Sequence, residues 1–203
     1  MTPKKATHAV LSLRERILDA ADNLFREQGI RGIGVEAIAD AAGTNKMTLY
    51  RHFASKDELI AEWVGGIIAR KDAEWDELSA LHTGDPQGHM REWSRRLAAK
   101  LAEMEGRGSA LHNAIAELPE PDHPARRIIQ SYKTREHKRV RRLCEEAGFQ
   151  NPELAANMFY MMLEGASNCV QCVGTKQIGQ HLVQLVDLML ENSRTQGRTR
   201  QRL

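Results

Sequence analysis

Between Gly43 and Phe53 the chain places Lys46, Thr48, Tyr50, Arg51 and His52, donors and cations that can grip an anionic surface. Wound as a helix, this segment puts Leu49 and Phe53 on one face, toward a core, and Met47 and Arg51 on the far side, flanked by Thr48 and Tyr50. That far side is polar and basic, the surface a phosphate-lined major groove requires. The preceding residues must position it. Val35, Ile38, Ala39 and Ala42 form an i, i+3, i+4, i+7 stripe on a short helix. Gly43 can take positive φ and stop that helix, and Thr44 or Asn45 can cap the next. Two very short helices hinged at a glycine are the grammar of a helix-turn-helix.

Other chemistry is weakly signalled. Cys169-Val-Gln-Cys172 is a CxxC, but it falls inside a predicted helix with no second CxxC and no nearby histidine, so small buried thiols are the expected reading over a redox switch. The eight histidines show no metal-ligand spacing. There is no Gly-rich phosphate loop, nucleophile elbow or assembled carboxylate pair, so an enzyme is not expected. The run Arg135-Glu-His-Lys-Arg-Val-Arg-Arg142 reads as a solvated helix face, with Glu136, Glu145 and Glu146 giving partial compensation.

The chain of 203 residues has the composition of an ordinary globule, and three cysteines, an odd count, fit a reducing cytoplasm. No apolar run reaches the roughly 20 residues of a spanning helix, and the charged N-terminus has no apolar segment behind it. A net charge of +2 gives no argument for nucleic acid by itself; the case rests on where the charge sits.

No stretch alternates with period two, so the expected fold is all-α. Residues 1–11 read as a mobile arm and a first helix spans 12–28, stopped by Gly29. Short helices follow near 35–42 and 46–53. Ser55-Lys56-Asp57-Glu58 is a capping box opening a long helix to about Leu81. Asp85 and Pro86 start the next, to about Glu105, broken by Gly106-Arg107-Gly108. A short helix spans about 109–117. Asp122 with Pro124 opens a basic helix to Ala147. Asn151 and Pro152 open one rich in Met and Ala to about Val173, which Gly174 breaks. A last amphipathic helix spans about 177–192, and 194–203 reads as a disordered basic tail.

Ala41-Ala42-Gly43, then Thr48-Leu49-Tyr50-Arg51-His52-Phe53, then Ser55-Lys56-Asp57-Glu58-Leu59 resemble the signature of TetR-family one-component transcriptional repressors, as do Arg16-Ile17-Leu18-Asp19-Ala20-Ala21, Leu24-Phe25 and Gly29 upstream. The resemblance covers the first third of the chain. Thr44 stands where the family usually has Val, and Met47 where a small residue is common, which leaves the operator sequence open. The resemblance implies a three-helix DNA-binding head over 1–54, a helical regulatory and dimerisation domain over 55–193, and a cytoplasmic repressor without cofactor. Carried over by position, Lys46, Met47, Thr48 and Arg51 would read base edges, Tyr50 and His52 would bond phosphates, and Lys56 would meet a phosphate at a helix start. Thr44 and Asn45 complete the DNA-facing set. Tyr50 as a half-buried core residue, His52 as plain surface, and Lys46 and Arg51 as solvated charges stay open.

A homodimer is expected, because one head covers too short a half-site. Its interface is expected on the last two helices, at Leu154, Met158, Met161, Met162 and Gly165 and at Leu182, Leu185, Val186, Met189 and Leu190, in an isologous four-helix bundle. The alternative is that these stripes close the monomer core. A small-molecule pocket is expected among Trp63, Trp93, Leu97, Met104, Leu111, Ile115, Phe159 and Met162, with ordinary core as the competing role for each. The competing function is an architectural DNA-binding protein with no small-molecule effector.

Overall fold

The computed structural model describes residues 11–103, 108–173 and 177–200, and no strand occurs among them. Among the described residues nine helices follow in order: α1 (Leu13–Gln28), α2 (Val35–Ala41), α3 (Lys46–His52), α4 (Lys56–Leu81), α5 (Pro86–Glu103), α6 (Ala110–Glu117), α7 (Pro124–Glu146), α8 (Pro152–Val173) and α9 (Ile178–Arg200). The expected arm over 1–10, the end of the break at Gly106-Arg107, Gly174 and residues 201–203 lie outside the described residues.

Local chemistry accounts for most boundaries. A capping box that the sequence reading passed over starts α1: Ser12 Oγ accepts from the Glu15 amide at 3.3 Å, and the Glu15 carboxylate accepts from the Ser12 amide at 2.7 Å. Gly43, at φ +67°, ends α2, and Asn45 rather than Thr44 caps α3, its Oδ1 accepting from the Thr48 amide at 2.9 Å. The box expected at Ser55 is only half formed. Ser55 Oγ accepts from the Glu58 amide at 3.1 Å, but the Glu58 carboxylate reaches back to the Ala54 amide, not that of Ser55. Asp85 and Asn151 cap as expected. At α7 the cap is His123, whose Nδ1 accepts from the Ala125 amide at 3.1 Å, because Pro124 is already the first helical residue and Asp122 is one position too early. Helix α9 continues to Arg200, beyond the expected end near 192. No proline interrupts 193–200, and the single Gly197 does not break the helix.

Two apolar cores hold these helices. The first joins Ile17 and Phe25 of α1, Ile38 of α2, Leu49 of α3 and Phe53 to Leu59 and Val64 of α4, and continues without a break into Leu111, Ala114 and Ile129 of α6 and α7. The second gathers Met90, Val140, Phe159, Leu163, Leu182, Val186, Met189 and Leu190. The stripe expected to dimerise therefore divides. Leu182, Val186, Met189 and Leu190 pack inside their own chain, because α9 lies along α5 as well as α8. Met162 is half-buried against the same core, whereas Leu154, Met158, Met161, Leu185 and the unforeseen Leu188 face outward. Cys169 and Cys172, expected to be buried, are exposed, while Cys144 is buried, its thiol pushed up to about 12 by that burial.

Aromatic rings tie α4 and α5 to α8 at this second core. Trp75 lies 4.7 Å from His89 and 5.2 Å from Trp93, and Trp93 meets Phe159 at 5.6 Å. His89 is buried, and burial first, then the nearby His82, pulls its ring down to about 4, so the folded chain holds it neutral. A folded-state value below the unfolded one, about 6.5, makes this contribution complete above pH 6.5 and lost as pH falls toward 4. Denaturant unfolding across that window is expected to show up to about 3 kcal/mol more loss in the wild type than in His89→Leu; parallel curves would overturn the assignment.

Candidate nucleic-acid interface

A seven-residue helix has little stability of its own, so α3 owes its position to what it buries. Leu49 and Phe53 are both fully buried in the first core. The opposite face then points outward. Met47 is 71% exposed, more than any other large apolar side chain described, and Tyr50 is 41% exposed, which removes the half-buried core reading for Tyr50. Lys46, Arg51 and His52 are exposed beside them, Thr48 is half-buried, and Asn45 is exposed while capping the helix. Thr44 is half-buried at the turn.

Two of the expected contacts are already engaged. Lys46 Nζ donates to Glu36 Oε1 of α2 at 2.5 Å, a hydrogen bond that raises the lysine's pKa and lowers the glutamate's. Glu36 was not anticipated from the sequence, since its distance of ten residues hides the pairing. Lys56 departs further from expectation. Its Nζ turns inward to donate to the Ile30 carbonyl at 2.7 Å, and burial lowers its pKa. The ammonium joins α4 to the loop after α1 instead of lying open to a phosphate.

The same loop is held from the body. Glu117, at the end of α6, accepts from the Arg31 amide at 2.9 Å and sits against Gly29, where an added Cβ would lie 2.9 Å from its carboxylate oxygen. Gly29 also has φ +79°, so both conformation and space favour glycine there. Arg126 of α7 donates to the Ile115 and Leu118 carbonyls at 3.1 and 2.6 Å, fixing the end of α6 that presents Glu117.

The expected pocket residues are dispersed. Trp63 lines a cleft of about 310 Å³ between α1, α4 and α6, with Phe25, Ile30 and Ala114. Trp93, Leu97 and Leu111 line a second cleft of about 330 Å³, reaching Tyr160 and Leu163. Phe159 is solid core, Ile115 and Met162 pack at the edges of the two cores, and Met104 lies outside the described residues. The second cleft also exposes a polar group hidden from periodicity. Lys133 donates to Glu136 at 3.0 Å and Glu164 at 2.7 Å, Tyr132 donates to Glu136 at 2.5 Å, and His112 Nε2 lies 2.7 Å from Glu164. Burial would raise Glu164, but the His112 hydrogen bond and the Lys133 ammonium outweigh it and hold the carboxyl at about 2. The basic run at 135–142 is likewise drawn into ion pairs, with Arg135 and Arg139 both on Asp72 of α4 at 2.7 and 2.5 Å.

Comparison with known proteins places this geometry. Residues 17–63 match the model for bacterial regulatory proteins of the tetR family. The HTH-type transcriptional repressor KstR2 of Rhodococcus jostii is 38% identical over 82 residues, 39% of this chain and 40% of that protein, so the match spans about two fifths of the relative's length. A TetR-family transcriptional regulator from Streptomyces coelicolor superposes with a TM-score of 0.83 at 25% identity, over 89% of this chain and 95% of the other. A tetR-type protein from Streptomyces avermitilis gives 0.78 at 29% identity, over 91% and 99%.

The joint at Glu117 yields a direct test. In Glu117→Ala the Arg31 amide loses a charge-assisted hydrogen bond, and its hydrogen exchange is expected to quicken about tenfold, with amides of α3 unaffected. Unchanged exchange at Arg31 would mean that packing alone holds the loop.

Proposed function

Because the chain belongs to the TetR family of bacterial regulatory proteins, we propose that it is a transcriptional repressor that grips a palindromic operator as a homodimer and lets go when a small molecule binds its body. The observation that carries this reading is the outward face of α3, where Met47, Tyr50, Arg51 and His52 stand exposed on a helix pinned from behind by Leu49 and Phe53. In this reading residues 1–54 are the reading head and 55–193 the regulatory body. Arg51 and Lys46 present donors to guanine acceptors, Thr48 and Met47 offer apolar contact to thymine methyls, and Tyr50 and His52 bond phosphates. Lys46 must exchange Glu36 for DNA, and Lys56 serves as a joint rather than a contact.

The outward stripe of Leu154, Met158 and Met161 on α8 with Leu185 and Leu188 on α9 supports a second copy as the occupant of that face, in an isologous contact. The clefts at Trp63 and Trp93 support a ligand site. A ligand acts by binding better to the conformation whose two heads are wrongly spaced for the two half-sites.

Footprinting and gel shift on the DNA flanking its own gene test the reading at fixed salt with competitor DNA. The expected result is a protected inverted repeat. Weak, unprotected binding that vanishes with salt would favour an architectural protein instead. On a found operator, Arg51→Ala is expected to relax base preference, whereas the slope of log K against log salt follows the phosphate contacts. Lys56→Met is expected to leave that slope in place. A full counterion lost from Lys56→Met would return Lys56 to the DNA surface.

A further inference from the structure

The two body clefts share Arg26, Lys100 and Ala110 in their walls, so they adjoin where helix α1 of the head meets α5 and α6. Their charges are not balanced alike. Among the wall residues of the larger cleft, Glu136 and Glu164 share the one ammonium of Lys133 and are further engaged by Tyr132 and His112. Arg26 pairs with Asp22 at 2.9 Å, and Lys100 pairs with Glu74. Arg70 and Lys71 line the same cleft and have no ion-pair partner within 4.0 Å among the described residues. The same cleft is also lined by apolar side chains, Ile67 one turn before these cations on α4 and Trp93, Leu97 and Leu163 from α5 and α8. Two cations without an ion-pair partner among the described residues, beside these apolar side chains, suit an anionic group carried on a hydrophobic body.

We propose that the molecule this cleft takes is an amphipathic organic anion, its apolar part against Trp93, Leu97 and Leu163 and its anionic group between Arg70 and Lys71, within reach of Arg26. The inference rests on reading the clefts as the ligand site. It also gives the ligand a direct hold on the head, because Arg26 belongs to α1. The carboxylate Arg26 now holds, Asp22, also accepts from Trp63 Nε1 at 2.6 Å. An anion that competes for Arg26 therefore changes the charge environment of the carboxylate that links α1 to α4.

Calorimetric titration of the full chain with decanoate, decanol and decyltrimethylammonium, all below their aggregation concentrations, tests this. The expected result is one decanoate per chain, bound at least tenfold more tightly than decanol, with the cation weakest. In the double variant Arg70→Gln, Lys71→Gln, decanoate affinity is expected to fall to that of decanol, while decanol is unaffected. Arg70 is exposed and Lys71 half-buried, and an unchanged thermal transition confirms that the variant folds. Decanoate no tighter than decanol, no binding by any of the three, or full decanoate affinity in the double variant would overturn the proposal. A gel shift separates it from the regulatory reading. Selective decanoate binding that leaves the operator complex intact sinks the effector role but keeps the anion site; release by neutral decanol alone does the reverse.

Discussion

The outward face of α3 exists only because Leu49 and Phe53 vanish into the first core. Seven residues give a helix too few internal hydrogen bonds to persist alone, and its cap at Asn45 supplies one more. Burying two large side chains completely supplies what the backbone does not, each contributing on the order of 2 kcal/mol. That burial also fixes the helix's rotation about its axis, so the same two residues decide that Met47 and Arg51, rather than any other pair, point away from the protein.

This core does not end at the head. It runs through Leu59 and Val64 into Leu111, Ala114 and Ile129, so α4, α6 and α7 share one apolar core with the head. Polar contacts sharpen the joint: Lys56 on the Ile30 carbonyl, Glu117 on the Arg31 amide, and Asp22 between Arg26 and Trp63. Residues 29–31 are therefore bonded directly both to the end of α6 and to the start of α4. The second core, with its Trp75, Trp93 and Phe159 rings, gives the body a separate rigid foundation.

Much of this was legible in the residues themselves. The Val35, Ile38, Ala39 and Ala42 stripe, the glycine at 43 and the prolines at 86, 124 and 152 carry local rules, and the helices begin and end close to where those rules place them. What stayed hidden was long-range. Nothing in the spacing of Lys56 says that its ammonium meets a carbonyl 26 residues away, nor does Glu36 advertise Lys46, nor Asp72 its two arginines 63 and 67 residues on. The apolar stripe of α9 misled for a related reason. Periodicity reveals that a face is buried but not against which neighbour, and Leu182, Val186 and Met189 turned out to serve their own chain. The candidate ligand residues were dispersed because large apolar side chains mark cores as readily as cavities, whereas Arg70 and Lys71 reveal themselves only once their partners can be counted.

The three tryptophans fall on the two sides of this architecture. Trp63 stands in the joint, its indole bonded to Asp22 and edge-on to Phe25 at 5.2 Å, while Trp75 and Trp93 meet edge to face in the second core. Indole emission thus arises from both regions, and replacing Trp63 alone with Phe leaves the Trp75–Trp93 pair of the body to be read in isolation.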